Sequence, residues 1–220
     1  MRRLLAVSVL ATQFLLAAES ARAAIITYNF TGTVTQNLNN PYGVTAGVGT
    51  AVSGSFTYDT GALDTYPPSG QGQYAQPVPP ADLSILFSAT GDVAVADILM
   101  GTVVQDSTND FFQIYANSNV GSVNSSPVTG FRSFIGLIDT SGTAFGSDSL
   151  PAALTLAAFD ITSGEFQDAN DPNTAVIRYS IDTLVVPEPA SLSLLALGLG
   201  LLASRLRRGR RISAARSPRC

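Results

Sequence analysis

From Ile26 to Thr35 apolar and polar residues alternate, with Ile26, Tyr28, Phe30 and Val34 on one side and Thr27, Asn29, Thr31, Thr33 and Thr35 on the other. A period of two, rich in β-branched and aromatic residues, predicts a half-buried strand. Gln36 to Gly49, with its Asn, Pro and Gly residues, reads as a loop. A second alternating strand covers Ala51 to Asp59, with Val52, Phe56 and Tyr58 inward, and ends at the turn Asp59-Thr60-Gly61. Tyr66 to Pro80 is of low complexity and reads as a semi-extended loop. Further strands are predicted over Leu83–Ala89, Val93–Val104, Phe111–Asn117, Phe131–Asp139, Leu154–Phe159 and Val176–Val185. In the last of these, Ile177, Tyr179, Ile181 and Val185 form one face. Asp139 to Thr143 predicts a hairpin turn into Ala144-Phe145. No 3.6-residue apolar stripe occurs between the two ends of the chain. Short strands separated by Gly, Asp, Asn and Ser turns predict an all-β fold, a single antiparallel β-sandwich of jelly-roll or lectin-like type over residues 24–186.

The two ends follow a different pattern. Arg2 and Arg3 precede an apolar run from Leu4 to Ala18, and Ala21-Arg22-Ala23 places small residues where a signal peptidase reads. Residues 1–23 therefore read as a secretory signal peptide cleaved after Ala23. At the other end Pro187-Glu188-Pro189 leads into an apolar run from Ala190, and Arg205, Arg207, Arg208, Arg210 and Arg211 follow. The prolines keep the chain extended and fix where a helix can begin. The apolar run through Leu206 is about 17 residues, roughly 25 Å as a transmembrane helix. The arginines hold its far end in the cytoplasm, so the body lies on the outer side. Residues 187–211 form this segment, and 212–220 a basic cytoplasmic tail.

Triplet, short apolar helix and arginine cluster, in that order, resemble the PEP-CTERM sorting signal of exported bacterial proteins. The resemblance implies recognition by exosortase, an integral-membrane cysteine transpeptidase-like enzyme often encoded beside exopolysaccharide genes. Pro187, Glu188, Pro189, Arg205, Arg207 and Arg208 would be the residues of that signal. An ordinary C-terminal membrane anchor beginning with two prolines is the alternative. The body is similar to a recurrent PEP-CTERM passenger in G-S-F-T-Y-D-T (Gly54 to Thr60) and D-T-S-G-T-A-F-G-S-D-S-L-P (Asp139 to Pro151). That similarity implies a secreted β-sandwich with no assigned activity, in the cell envelope or extracellular matrix and linked to exopolysaccharide or biofilm.

Composition narrows the chemistry. Of sixteen acidic residues only Glu19 and Glu188 lie outside the body, leaving fourteen carboxylates against Arg132 and Arg178, a net charge of −12. Such a body does not bind nucleic acid by phosphate neutralisation and favours cations. The chain has no histidine, lysine or tryptophan, and its one cysteine is Cys220. A Ser-His-Asp relay, an imidazole or thiolate metal site and a P-loop are all excluded from the body. Carboxylate chemistry remains, with Glu165 and Asp160 as the glycosidase candidates, but no spacing selects a pair and the sugar-stacking tryptophans are missing. The expectation is a non-catalytic protein, with a carbohydrate-binding, lectin-like module as the alternative.

Asp168, Asn170, Asp171 and Asn173, after Glu165, concentrate oxygen ligands of the kind calcium takes. The same residue types form turns, so both readings stand. Asp106, Asn109 and Asp110 form a second, sparser cluster. Arg132 and Arg178 read as solvated partners of the carboxylates, or as a grip on an acidic sugar. Tyr66 and Tyr74 read as a loop tip or as an aromatic sugar contact.

Overall fold

The computed structural model describes residues 24–66, 70–96, 99–116, 120–170 and 175–187. The stretches expected to form a signal peptide, an apolar helix and a basic tail lie outside the described residues, as do Glu188, Pro189 and the arginine cluster. The chain divides into two compact units, Met1–Val186 and Pro187–Cys220, and only the first is described at length. Among the described residues no helix is long and apolar enough to cross a membrane.

The described body is all-β. Its strands are β1 (Ile25–Leu38), β2 (Ala51–Asp59), β3 (Gln71–Pro77), β4 (Asp82–Phe87), β5 (Asp92–Ala96), β6 (Leu99–Gln105) and β7 (Asp110–Ala116). They continue with β8 (Val120–Val123), β9 (Ser126–Thr129), β10 (Phe131–Asp139), β11 (Ile161–Asp168), β12 (Val176–Ser180) and β13 (Thr183–Val185). They join into one antiparallel sheet in the order β3-β6-β7-β10-β11-β12-β1-β2-β4-β5-β8-β9, with β13 also on β1.

The long strand β1 connects the two halves. Ile25 to Thr33 pairs with β2, and beyond a bulge between Val34 and Gln36 the strand pairs with β12 instead. β13 takes the place of β12 alongside Asn29 to Thr31. The chain crosses from β12 to β13 close over Gly32, where any side chain would overlap the Ser180 carbonyl. A bulge bends a strand and raises its twist, so the sheet curls at this point. Rings from strands far apart in the strand order then meet, Tyr58 with Phe112 at 5.6 Å and Phe87 with Phe166 at 6.0 Å between centroids.

The core between the halves is aromatic. Tyr28, Phe30, Phe56, Tyr58 and Phe87 come from one half, and Phe112, Phe166 and Tyr179 from the other, each almost wholly buried. Two glycines make room for rings. Gly54 is the register partner of Phe30, and Gly164 of Tyr179, and at each a side chain would overlap the opposing ring.

Several elements depart from the sequence expectation. Gln71 to Pro77 is a strand inside the supposed loop, with Gly72, Tyr74 and Gln76 buried on one face. Val93–Val104 is two strands, β5 and β6, and β8 and β9 form a hairpin with no apolar pattern. Leu154–Phe159 is a loop with a 3-10 turn at Leu156–Ala158, and the strand lies after it, at β11. Asp139 to Thr143 does turn, but β10 next pairs with β11 rather than with residues at Ala144-Phe145. Val185 is 56% exposed rather than on the face of Ile177, Tyr179 and Ile181, because the chain changes strand after Ser180.

Candidate functional site

The outward face of the half formed by β3, β6, β7 and β10 carries a cleft. Neighbouring strands in register bring Gln73, Val103 and Gln113 into one row. The next row runs Ala75, Gly101, Tyr115 and Phe134. Side chains alternate along each strand, so the positions between them fill the core while these point outward. Gln73, Val103, Gln113, Tyr115, Arg132 and Phe134 enclose a cavity of about 300 Å³. That volume is at the small end of ligand sites. A second depression of about 160 Å³ shares Gln73 and Tyr115 and extends the cleft towards Thr65.

Local packing fixes the aromatic wall. The phenol end of Tyr115 lies over Gly101, where a side chain would overlap it. Val103, 9% exposed, forms an apolar floor. The glutamines add amide donors and acceptors at the rim. Arg132 is exposed and has no hydrogen bond or ion pair among the described residues. Among the described residues no carboxylate lines the cleft. The nearest acid in register, Glu165 opposite Phe134, is engaged by Arg178 at 2.6 Å, and Arg178 also donates to Gln36 at 2.8 Å. The two arginines of the body therefore differ: Arg178 is the solvated charge partner expected, and Arg132 is not.

The remaining candidates have other work. Asp160 accepts from the Thr140 amide and hydroxyl, and these bonds hold its carboxyl below the usual range. With Glu165 paired to Arg178, neither glycosidase candidate is among the described residues that line the cleft. Asp110 is fully buried and accepts from the amides of Phe145 and Ser107. Asp168 accepts from the Asn170 backbone at 2.9 Å and its side chain at 3.0 Å, a turn-forming arrangement. Asp171 and Asn173 lie outside the described residues, and among those described no group of three His, Cys, Asp or Glu is placed to hold a metal. Tyr66 is 44% exposed, whereas Tyr74 points inward and donates to the Asp148 carbonyl at 2.9 Å.

Sequence reasoning missed Gln73, Gln113, Tyr115 and Phe134. They are scattered over three strands and occupy the polar-outward positions of ordinary alternation, so only the register brings them together.

At the C-terminal end, β13 stops at Val185, and Pro187 is exposed two residues later. A family model, the PEP-CTERM protein-sorting motif, matches residues 185–211. The chain carries a PEP-CTERM sorting motif. Its first matched residue is the last of β13, so the PEP-CTERM segment adjoins the folded body with no intervening linker. The match supports an exported protein sorted by exosortase. No curated protein and no solved structure matches the chain.

Proposed function

We propose that this is a non-catalytic cell-envelope or extracellular-matrix protein, exported by its N-terminal signal peptide and released to the surface by exosortase processing of its C-terminal motif. The junction at Val185 carries this reading, since processing near the triplet leaves every described strand of the body intact. The curled antiparallel sheet belongs, in this reading, to the jelly-roll or lectin-like sandwiches. Absence of a catalytic role is supported by the engagement of Glu165 and Asp160 in structural bonds. Mass spectrometry of the exported protein from its native cells, with and without exosortase, tests the reading. An intact C-terminus in both strains would refute processing.

A second reading, that the body binds glycans, rests on the outer-face cleft. Tyr115 and Phe134 offer apolar ring surface, and Gln73 and Gln113 offer paired donors and acceptors suited to sugar hydroxyls. Exopolysaccharide is the ligand this reading implies, and binding it would hold the released protein in the matrix.

A further inference from the structure

We infer that the cleft takes a polysaccharide in which carboxylate-bearing sugars alternate with neutral ones, and that Arg132 receives the carboxylate. The inference rests on the glycan reading above and adds to it the charge and spacing of the ligand. Arg132 is an exposed cation with no partner among the described residues, although the body carries fourteen carboxylates. Arg178, by contrast, is consumed by Glu165 and Gln36. A guanidinium left free beside an aromatic wall presents its planar fork of donors to a carboxylate, and such charge-assisted bonds are the strong ones.

The rest of the molecule sets the spacing. Among the described residues the cleft holds one arginine and no carboxylate, so it matches one acidic sugar flanked by neutral ones. A body of net charge −12 repels a polymer bearing a carboxylate on every residue. At physiological salt that repulsion is screened beyond about 8 Å, so a single carboxylate in contact with Arg132 is still attracted. Tyr115 and Phe134 then pack against the sugar rings, and Gln73 and Gln113 address hydroxyls on the neutral neighbours.

The test uses the mature protein recovered from its native cells and isothermal titration at physiological salt. The probes are hyaluronan oligosaccharides, in which glucuronate alternates with a neutral sugar, the same oligosaccharides with carboxylates reduced to alcohols, and oligogalacturonate. The parent is expected to bind the alternating acidic form about tenfold or more tightly than the reduced form. It should also bind that form more tightly than oligogalacturonate. Arg132→Gln should abolish the preference for the carboxylate and Arg132→Lys should retain part of it, with unchanged thermal midpoints. Tyr115→Ala should weaken both acidic and reduced forms. Equal binding of acidic and reduced forms by the parent, or a preference that survives Arg132→Gln, would overturn the acidic ligand and leave the glycan reading standing. Tighter binding of oligogalacturonate would overturn the alternating pattern alone. Binding of none of the three would overturn the glycan reading itself.

Discussion

Asp110 and Asp139 are register partners across β7 and β10, both buried, and both turn their carboxylates onto the amides of the loop that follows β10. Asp139 accepts from Ser141 N and Oγ at 2.8 and 2.6 Å, from Thr143 N at 2.7 Å and from Ala144 N at 2.9 Å. Asp110 accepts from Phe145 N at 2.7 Å. Further along, three tyrosines hold the same loop: Tyr74 bonds the Asp148 carbonyl, Tyr58 the Pro151 carbonyl and Tyr28 the Leu154 amide. The stretch D-T-S-G-T-A-F-G-S-D-S-L-P is thus a covering loop without regular structure, and the side chains that bond its backbone come from β2, β3, β7 and β10, from Asp160 ahead of β11 and from Ser147 within it.

Asp139 makes this loop sensitive to acid. The Ser141 hydroxyl first, then the amides of Thr143, Ser141 and Ala144, hold its carboxyl well below the usual range. A carboxyl whose pKa is lower folded than unfolded adds stability that is full above about pH 4 and is lost as pH falls towards the folded value. Asp139→Asn should lower Tm by several degrees at neutral pH, because an amide group would face the loop's donors. The gap to the parent should narrow as pH drops below about 4. Thermal melts of both proteins between neutral and acidic pH check this, and a gap independent of pH would refute it.

Two buried tyrosines should respond oppositely to loss of a hydroxyl. Tyr58 donates to the Pro151 carbonyl at 2.8 Å, so Tyr58→Phe should cost about 1 kcal/mol, or about 2–4 °C in Tm. The Tyr179 hydroxyl is buried and makes no hydrogen bond of acceptable geometry among the described residues, the Ser133 hydroxyl beside it being turned to the Glu165 carbonyl at 2.8 Å, and burial pushes its pKa up. Removing an unsatisfied group relieves a desolvation penalty, so Tyr179→Phe should leave Tm unchanged or raise it. Differential scanning calorimetry of the two variants decides the matter, and a loss in Tyr179→Phe as large as in Tyr58→Phe would contradict it.

These packing details explain which strands the sequence reveals. β1 and β2 alternate plainly because their inward positions carry Tyr28, Phe30 and Val34 and Val52, Phe56 and Tyr58, with the Phe30 ring filling the space at Gly54. In β11 the inward position at Gly164 is filled by the Tyr179 ring from β12, so the apolar signal sits on the neighbouring strand. In β3 the inward residues are Gly72, Tyr74 and Gln76, and Gln76 is buried only because it accepts from Asp59 N and donates to Thr102. No period-two hydrophobic count finds such a strand. The cleft was hidden for a related reason, since a register that sets Tyr115 over Gly101 is fixed by three-dimensional pairing and not by spacing along the chain. The sorting motif was legible because its information is linear.

Gly164 offers a direct check on the packing account. Gly164→Ala would drive a methyl group into the Tyr179 ring between two fully packed strands. Overpacking of this kind costs about 1–3 kcal/mol. Pairing it with Tyr179→Ala should bring the second substitution less loss than it causes alone, because the ring that clashes is gone. Additive losses in a double-mutant cycle of chemical denaturation would show that the two residues do not share the space.

The last prediction concerns the junction of body and motif. β13 is short, held to β1 by the pairs Asn29–Val185, Phe30–Leu184 and Thr31–Thr183, with a 2.7 Å bond between the two threonine hydroxyls. The motif match begins within that strand at residue 185, and the triplet starts at Pro187. A processing enzyme that reads Pro-Glu-Pro therefore works within a few residues of a folded edge, where the prolines, lacking amide donors, prevent β13 from continuing along β1. A short Gly/Ser insertion between Val186 and Pro187 should leave the Tm of the mature body unchanged and speed appearance of the processed form. Glu188→Ala/Pro189→Ala should instead accumulate precursor ending Ser217-Pro218-Arg219-Cys220. Pulse-labelling in the native cell, followed by mass spectrometry of the C-terminus, measures both. Equal processing of the triplet variant and the parent would show that the enzyme does not read the triplet, and slower processing after the insertion would show that it needs the strand edge close by.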